Sequence, residues 1–172
     1  MKTYQLLLSL LLAALPVALA APALADTGGT AAHILVIGGS LVITVPVSAL
    51  TLTTSTGGSL SGPLGQVQVN DARGAGAGAS WVVNVVSSVF TPAAGPVISA
   101  NAVGYVAGAI SQVGTATVTA NNPVGLAAVI PAVTATGITG HNSASWNPTI
   151  TLSLPTGAAP GAYTGSITHS VS

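Results

Sequence analysis

The sequence predicts an all-β fold: a single β-sandwich of antiparallel strands, about eight to ten in number, with no substantial helix in the mature chain. Three observations support this prediction. Apolar and polar residues alternate with a period of two, as in Thr149–Leu154. The alternating runs are rich in Val, Ile and Thr, which suit a pleated surface. Turn residues separate the runs at short intervals, and no segment shows the 3.6-residue period of a helix.

The strands follow this alternation along the chain. The clearest candidates are Leu41–Val45, Gln66–Asn70, Thr115–Ala120, Thr149–Leu154 and Gly161–Val171. Trp81 alternates in phase with Val83 and Val85, so we expect Trp81 to fill the core together with Phe90 and Tyr163. Turn signals lie at Gly38-Gly39, Gly57-Gly58, Gly62-Pro63, Gly74–Gly78, Gly95-Pro96, Asn121-Asn122-Pro123 and Thr156-Gly157.

The beginning of the sequence is typical of a secretory signal peptide. Lys2 precedes a Leu-rich apolar run, Pro16 interrupts it, and Ala23-Leu24-Ala25 offers the small residues of a cleavage site. We therefore expect a signal peptide at 1–25 and a single exported domain at 26–172. The run is too short for a membrane anchor. The expected location is extracellular or on the cell wall, with no integral membrane segment in the mature chain.

The composition excludes several classes of function. Only 2% of the 172 residues are charged, and the sequence contains two basic residues, two acidic residues and no cysteine. Two basic residues are too few for a nucleic-acid-binding surface. The lack of cysteine excludes disulfides and thiolate chemistry. Near-zero net charge and sheet edges without charged guards favour contact with a neighbour, including self-association.

The candidate catalytic residues do not form a recognisable motif. Asp71 is the only carboxylate inside the mature chain, which excludes a pair of catalytic carboxylates. His33, His141 and His169 are far apart, and there is no Gly-x-Ser-x-Gly segment. We expect no enzyme activity, no metal site and no cofactor. A triad assembled in space, as in a secreted hydrolase, remains the minor alternative.

Two further features have a structural and a functional interpretation. Asp71 and Arg73 are two positions apart, which favours an exposed local ion pair before Gly74 and leaves open a ligand-binding role. Trp146 lies near Pro148 at a predicted strand end, where exposure is plausible. Asp71, Arg73 and Trp146 are therefore the candidate residues for binding a wall polymer or a partner. The glycines at 74–78 lack the Lys-Ser/Thr of a phosphate loop, so we expect a hairpin loop there.

The motifs resemble the WxL-domain family of bacterial surface proteins in a divergent form. Gly39–Pro46 is similar to an early strand of the family, and Leu64–Gly74 resembles its Leu-Gly-x-Val-x-Val-x-Asp-x-Arg-Gly segment. Trp81 begins the counterpart of the first Trp-x-Leu, with Val83 in place of Leu. The matches to the C-terminal signature are Tyr163, Ile167 and Thr168, followed by His169 and Val171 in place of Trp and Leu.

The resemblance implies a non-catalytic β-rich module that is exported and associates non-covalently with the bacterial cell wall, with peptidoglycan or wall-bound proteins as partners. The alternative is a self-associating structural subunit of a surface layer or filament. His169 shares a face with Tyr163 and Ile167, which favours a packing role for the position of the second Trp.

Overall fold

The computed structural model describes residues 39–47, 53–55, 58–159 and 161–172. These residues form eleven strands and one 3-10 turn, Ala100–Ala102, arranged in antiparallel sheets. The all-β prediction is confirmed, and the described residues contain no helix beyond that single turn. The predicted signal peptide, residues 1–25, lies outside the described residues.

The larger sheet is built around β4 (Val67–Ser87), a strand of 21 residues. One edge of β4 pairs with β8 (Ile130–Trp146), and β8 pairs in turn with β7 (Ile110–Ala120). The opposite edge of β4 is shared by β1 (Leu41–Thr44) and β11 (Ile167–Val171). The long strand β4 therefore pairs directly with three of the other four strands of its sheet.

The second sheet has four shorter strands in the spatial order β2, β3, β9, β6. Their bounds are β2 (Thr53–Ser55), β3 (Ser59–Pro63), β6 (Val103–Val106) and β9 (Thr149–Ser153). A separate pair joins β5 (Thr91–Pro92) to β10 (Tyr163–Thr164). The strand count exceeds the expected eight to ten because β2, β5 and β10 are only two or three residues long.

The core lies between the two sheets. It is formed by the inward side chains of β4 and β8 on one layer and of β6 and β9 on the other. Trp81 is 1% exposed and Phe90 is 8% exposed, as the alternation predicts, whereas Tyr163 packs at the margin of the core. Removing these apolar side chains from water supplies the main favourable term of folding.

The glycine-rich segment at 74–78 is not the expected hairpin loop, because it lies within β4. The ten steps from Asp71 to Trp81 on β4 face only seven steps from Asn142 to Ala135 on β8. Bulges absorb the excess length. Gly74 and Gly78 have φ angles of +64° and +88°, which only glycine adopts readily, so they let the strand bulge without ending it.

The predicted strand at 161–171 is divided into β10 and β11, which pair with different partners. The break follows from a close approach of the chain to Phe90. A Cβ atom on Gly165 would lie 2.7 Å from the Phe90 ring. The backbone N–H of Ser166 donates to Ser88 Oγ instead of to a strand.

Gly114 provides a test of the bent β7–β8 pairing. Its φ is +87°, and a Cβ atom there would collide with the backbone of His141. We expect Gly114→Ala to lower the free energy of unfolding by about 1–3 kcal/mol. The matched control is Gly76→Ala, whose Cβ would meet open space and should be nearly neutral. Equal denaturant midpoints for the two variants would contradict this account.

Candidate functional site

The motif residues that suggest the family resemblance lie side by side on two paired strands. Val83 of β4 is the direct cross-strand partner of Val171 of β11, and His169 lies opposite Val85. Beyond the end of β11, the backbones of Val82 and Ser172 exchange two hydrogen bonds. The two segments that correspond to Trp-x-Leu, 81–83 on β4 and 169–171 on β11, therefore lie on neighbouring strands that pair with each other.

A second group of motif residues forms a partly buried ion pair. Arg73 Nε donates to Asp71 Oδ1 at 2.8 Å, and Arg73 Nη2 donates to Asp71 Oδ2 at 2.9 Å. Arg73 Nη2 also donates to the carbonyl of Ser80, across the bulged part of β4. Bidentate pairs of this kind fix geometry as well as charge. The ion pair therefore holds the two ends of the bulge together.

The carboxylate of Asp71 connects this ion pair to Trp81. Asn142 Nδ2 donates to Asp71 Oδ2 at 3.1 Å, and the indole Nε1 of Trp81 donates to Asn142 Oδ1 at 3.0 Å. Hydrogen bonds from Arg73, assisted by its charge and by Asn142, lower the pKa of Asp71 to about 2 against the opposing effect of burial. We call Asp71, Arg73, Asn142 and Trp81 the carboxylate network.

The expectation of an exposed ion pair is wrong on the Asp71 side. The Asp71 side chain is 0% exposed and that of Arg73 is 35% exposed. Asp71 follows Val67 and Val69 on the inward face of β4, so the same alternation that buries the valines buries the carboxylate. Of the pair, Arg73 alone offers surface to a binding partner.

Trp146 belongs to a second buried polar group, which we call the tyrosine cluster: Tyr105, Trp146 and His169. The indole Nε1 of Trp146 donates to the Tyr105 hydroxyl at 2.8 Å. His169 Nε2 lies 3.3 Å from the same hydroxyl, and its ring meets that of Tyr105 edge to face at 5.6 Å between centroids. The expected exposure of Trp146 is wrong: it ends β8 facing inward and is 3% exposed.

Burial is the main cause of the pKa shifts of Tyr105 and His169 in the tyrosine cluster. It raises the pKa of Tyr105 to about 12, although the hydrogen bond from Trp146 acts in the opposite direction. Burial also lowers the pKa of His169 to about 4. His169 Nδ1 is buried without a hydrogen-bond partner among the described residues, so a proton there has nothing to stabilise it.

A shallow cavity of about 120 Å³ lies on the second sheet. Its polar lining comes from Asn101, Thr151 and Ser153, and its apolar lining includes Val103 and Val124. Amide and hydroxyl groups beside aliphatic side chains suit an uncharged ligand that has both a hydrogen-bonding part and an apolar part.

Other candidate chemistry remains dispersed over the part of the chain that the structure describes. No three His, Asp or Glu side chains meet there in a group that would hold a metal ion. His141 lies near Gly74 on the bulge, and His33 falls outside the described residues. Within the described ranges there is also no helix with the length and apolar character needed to cross a membrane.

Sequence reasoning missed two central residues, Asn142 and Tyr105. Asn142 lies opposite Asp71 in the β4–β8 pairing, but three bulges between Asp71 and Trp81 obscure that register in the sequence. Tyr105 is inward-facing on β6, whose short Val-Gly-Tyr-Val run has no clear alternation. The one available signal for Asn142 was its position in an alternating run that ends in Trp146.

The carboxylate network predicts a large effect for Asn142→Ala. The substitution leaves the Trp81 indole N–H and one Asp71 lone pair unsatisfied in the core, so we expect a loss of about 2–4 kcal/mol in the free energy of unfolding. Asn70→Ala, at an exposed position one step before Asp71 on β4, is the control. A loss no larger than that of the control, measured by chemical denaturation, would refute the role given to Asn142.

The lowered pKa of His169 predicts a loss of stability in mild acid. The unfolded state binds a proton near pH 6.5 and the folded state only near pH 4, so stability falls as the pH decreases between these values. The full effect is up to about 3 kcal/mol. Denaturation curves of wild type and His169→Phe across pH 4–7 test this, because the variant should lose that part of the pH dependence. Parallel pH profiles would contradict it.

Comparison with known proteins gave no match: no protein-family model, no curated protein and no solved structure resembles this chain at a significant level.

Proposed function

We propose that this chain is a non-catalytic module of the bacterial cell surface that associates non-covalently with the cell wall or with wall-bound proteins. The main support is that the buried polar side chains of this chain hydrogen-bond to one another inside the fold. These hydrogen bonds form within the carboxylate network and, separately, within the tyrosine cluster. A module that binds rather than reacts has no need to present an activated group at its surface.

The composition of the exposed strand faces favours an uncharged ligand. Many exposed strand positions carry Ser, Thr, Asn or Gln, beside a few exposed valines such as Val113. The only charged side chains in the described residues are Asp71 and Arg73, which pair with each other. Hydroxyl and amide groups exchange hydrogen bonds with a polysaccharide at little desolvation cost. The signal-peptide pattern at 1–25 and the resemblance to WxL domains are consistent with an exported, wall-associated role.

The cavity on the second sheet is the contact that we favour. An N-acetylated sugar of peptidoglycan presents an amide and a methyl group together. Asn101, Thr151 and Ser153 offer hydrogen bonds to the amide, and Val103 and Val124 offer an apolar surface to the methyl group. This match in chemistry favours the glycan strand of the wall as the ligand.

Co-sedimentation with isolated, protein-free cell walls tests the proposal. We expect the exported protein to be retained and the Asn101→Ala/Ser153→Ala variant to bind roughly tenfold more weakly, since it loses two hydrogen bonds of about 0.5–1.5 kcal/mol each. Asn70→Ala, exposed on the other sheet, is the matched control.

Retention no greater than that of an unrelated β-sandwich would overturn the proposal of wall association. Retention that Asn101→Ala/Ser153→Ala leaves unchanged would overturn the cavity as the contact and transfer the search to the surface around Arg73.

A further inference from the structure

The outer edge of β7 is long and carries neither a charged residue nor a proline. β7 (Ile110–Ala120) has eleven residues and ends the larger sheet, where β8 is its only partner among the strands described. Natural edge strands are normally protected against further pairing by charged residues or proline, by a bulge or by a covering segment. The β7–β8 pairing shifts register between Val113 and Thr117, but the extra residues of both shifts lie on β8 and not on β7.

One edge carbonyl is already hydrogen-bonded by a side chain. The side-chain amide of Gln112 donates to the Ala116 carbonyl at 2.9 Å on the exposed side of the strand. A backbone N–H of an added strand makes the same kind of bond. The edge thus has at least one acceptor whose present partner is an exposed glutamine side chain that a strand can replace.

The segment Thr115–Thr119 is complementary to itself. Its sequence, Thr-Ala-Thr-Val-Thr, has exposed Thr side chains on one face and partly buried Ala116 and Val118 on the other. In an antiparallel pair centred on Thr117, Thr115 lies opposite Thr119 of the second copy, and Ala116 lies opposite Val118 of the second copy. Residues directly opposite each other share a face of the sheet, so both faces continue across the contact without a mismatch.

Charge also favours a second copy as the occupant. The edge has no charge with which to attract an acidic or basic partner, and none with which to repel itself. We propose that β7 pairs antiparallel with β7 of a second copy, in a two-fold symmetric contact centred on Thr117 that joins the two larger sheets into one. This inference does not depend on the wall association proposed above.

Sedimentation equilibrium of the exported protein over a wide concentration range tests the contact. We expect reversible dimerisation in wild type and dimerisation roughly tenfold weaker in Thr115→Lys/Thr119→Lys, because two pairs of lysines then face each other across the two-fold axis. Gln68→Lys/Asn70→Lys places the same charge on exposed positions of the central strand β4 and should dimerise as wild type does.

A charge-swap experiment tests the register. Thr115→Glu/Thr119→Glu alone should also dimerise weakly, whereas an equimolar mixture with the lysine variant should recover association, since each lysine then faces a glutamate. Circular dichroism confirms that each variant is folded.

Three results would overturn the proposal. A wild type that stays monomeric at the highest concentration removes the dimer. A lysine variant that associates as wild type does assigns the contact to another surface. A mixture that fails to recover association excludes the register centred on Thr117.

Discussion

Burial removes the Asp71 carboxylate from water, so its negative charge has to be stabilised by protein groups. This requirement determines which side chains surround Asp71 at the centre of the larger sheet. Arg73 supplies the opposite charge in bidentate geometry, and Asn142 supplies a further donor from the neighbouring strand. Arg73 is on the same strand as Asp71, whereas Asn142 reaches the carboxylate only when β4 and β8 are in register. Removing one partner of a buried ion pair lowers the free energy of unfolding strongly, whereas replacing the whole pair by apolar side chains is often neutral. We therefore expect the network to contribute more to the register of β4 and β8 than to the stability of the fold.

The same network also connects Asp71 to the core through Trp81, which is on the strand that pairs with β11. Asn142 holds the indole of Trp81, and two residues later Val83 faces Val171 on β11. The residues that resemble family motifs are therefore neighbours in a continuous structural unit. In this chain, their inward position indicates that the motifs describe how the domain is held together.

Alternation was sufficient to predict the strand class and most inward faces, because side-chain direction in a strand depends only on a period of two. Val67, Val69, Ile150 and Leu152 follow it and are buried. It failed where the backbone departs from that period. The bulged glycines between Gly74 and Gly78 continue a strand instead of reversing it, and the approach to Phe90 divides the last predicted run at Gly165. The local spacing predicts the Asp71–Arg73 pair, but the contacts of Asn142 with Asp71 and of Tyr105 with Trp146 depend on distant strands, which a local pattern does not encode.

The pairing of β4 with β11 has a consequence for how the fold is reached. Val83 and Val171 are 88 positions apart, and each must find the other before the central strand is covered on that side. Contacts of such long sequence separation form slowly, since the entropy of closing a large loop is lost first. Until then the uncharged segment Val83–Ser87 of β4 lacks its partner on that side, which leaves an unpaired strand edge exposed while the chain folds.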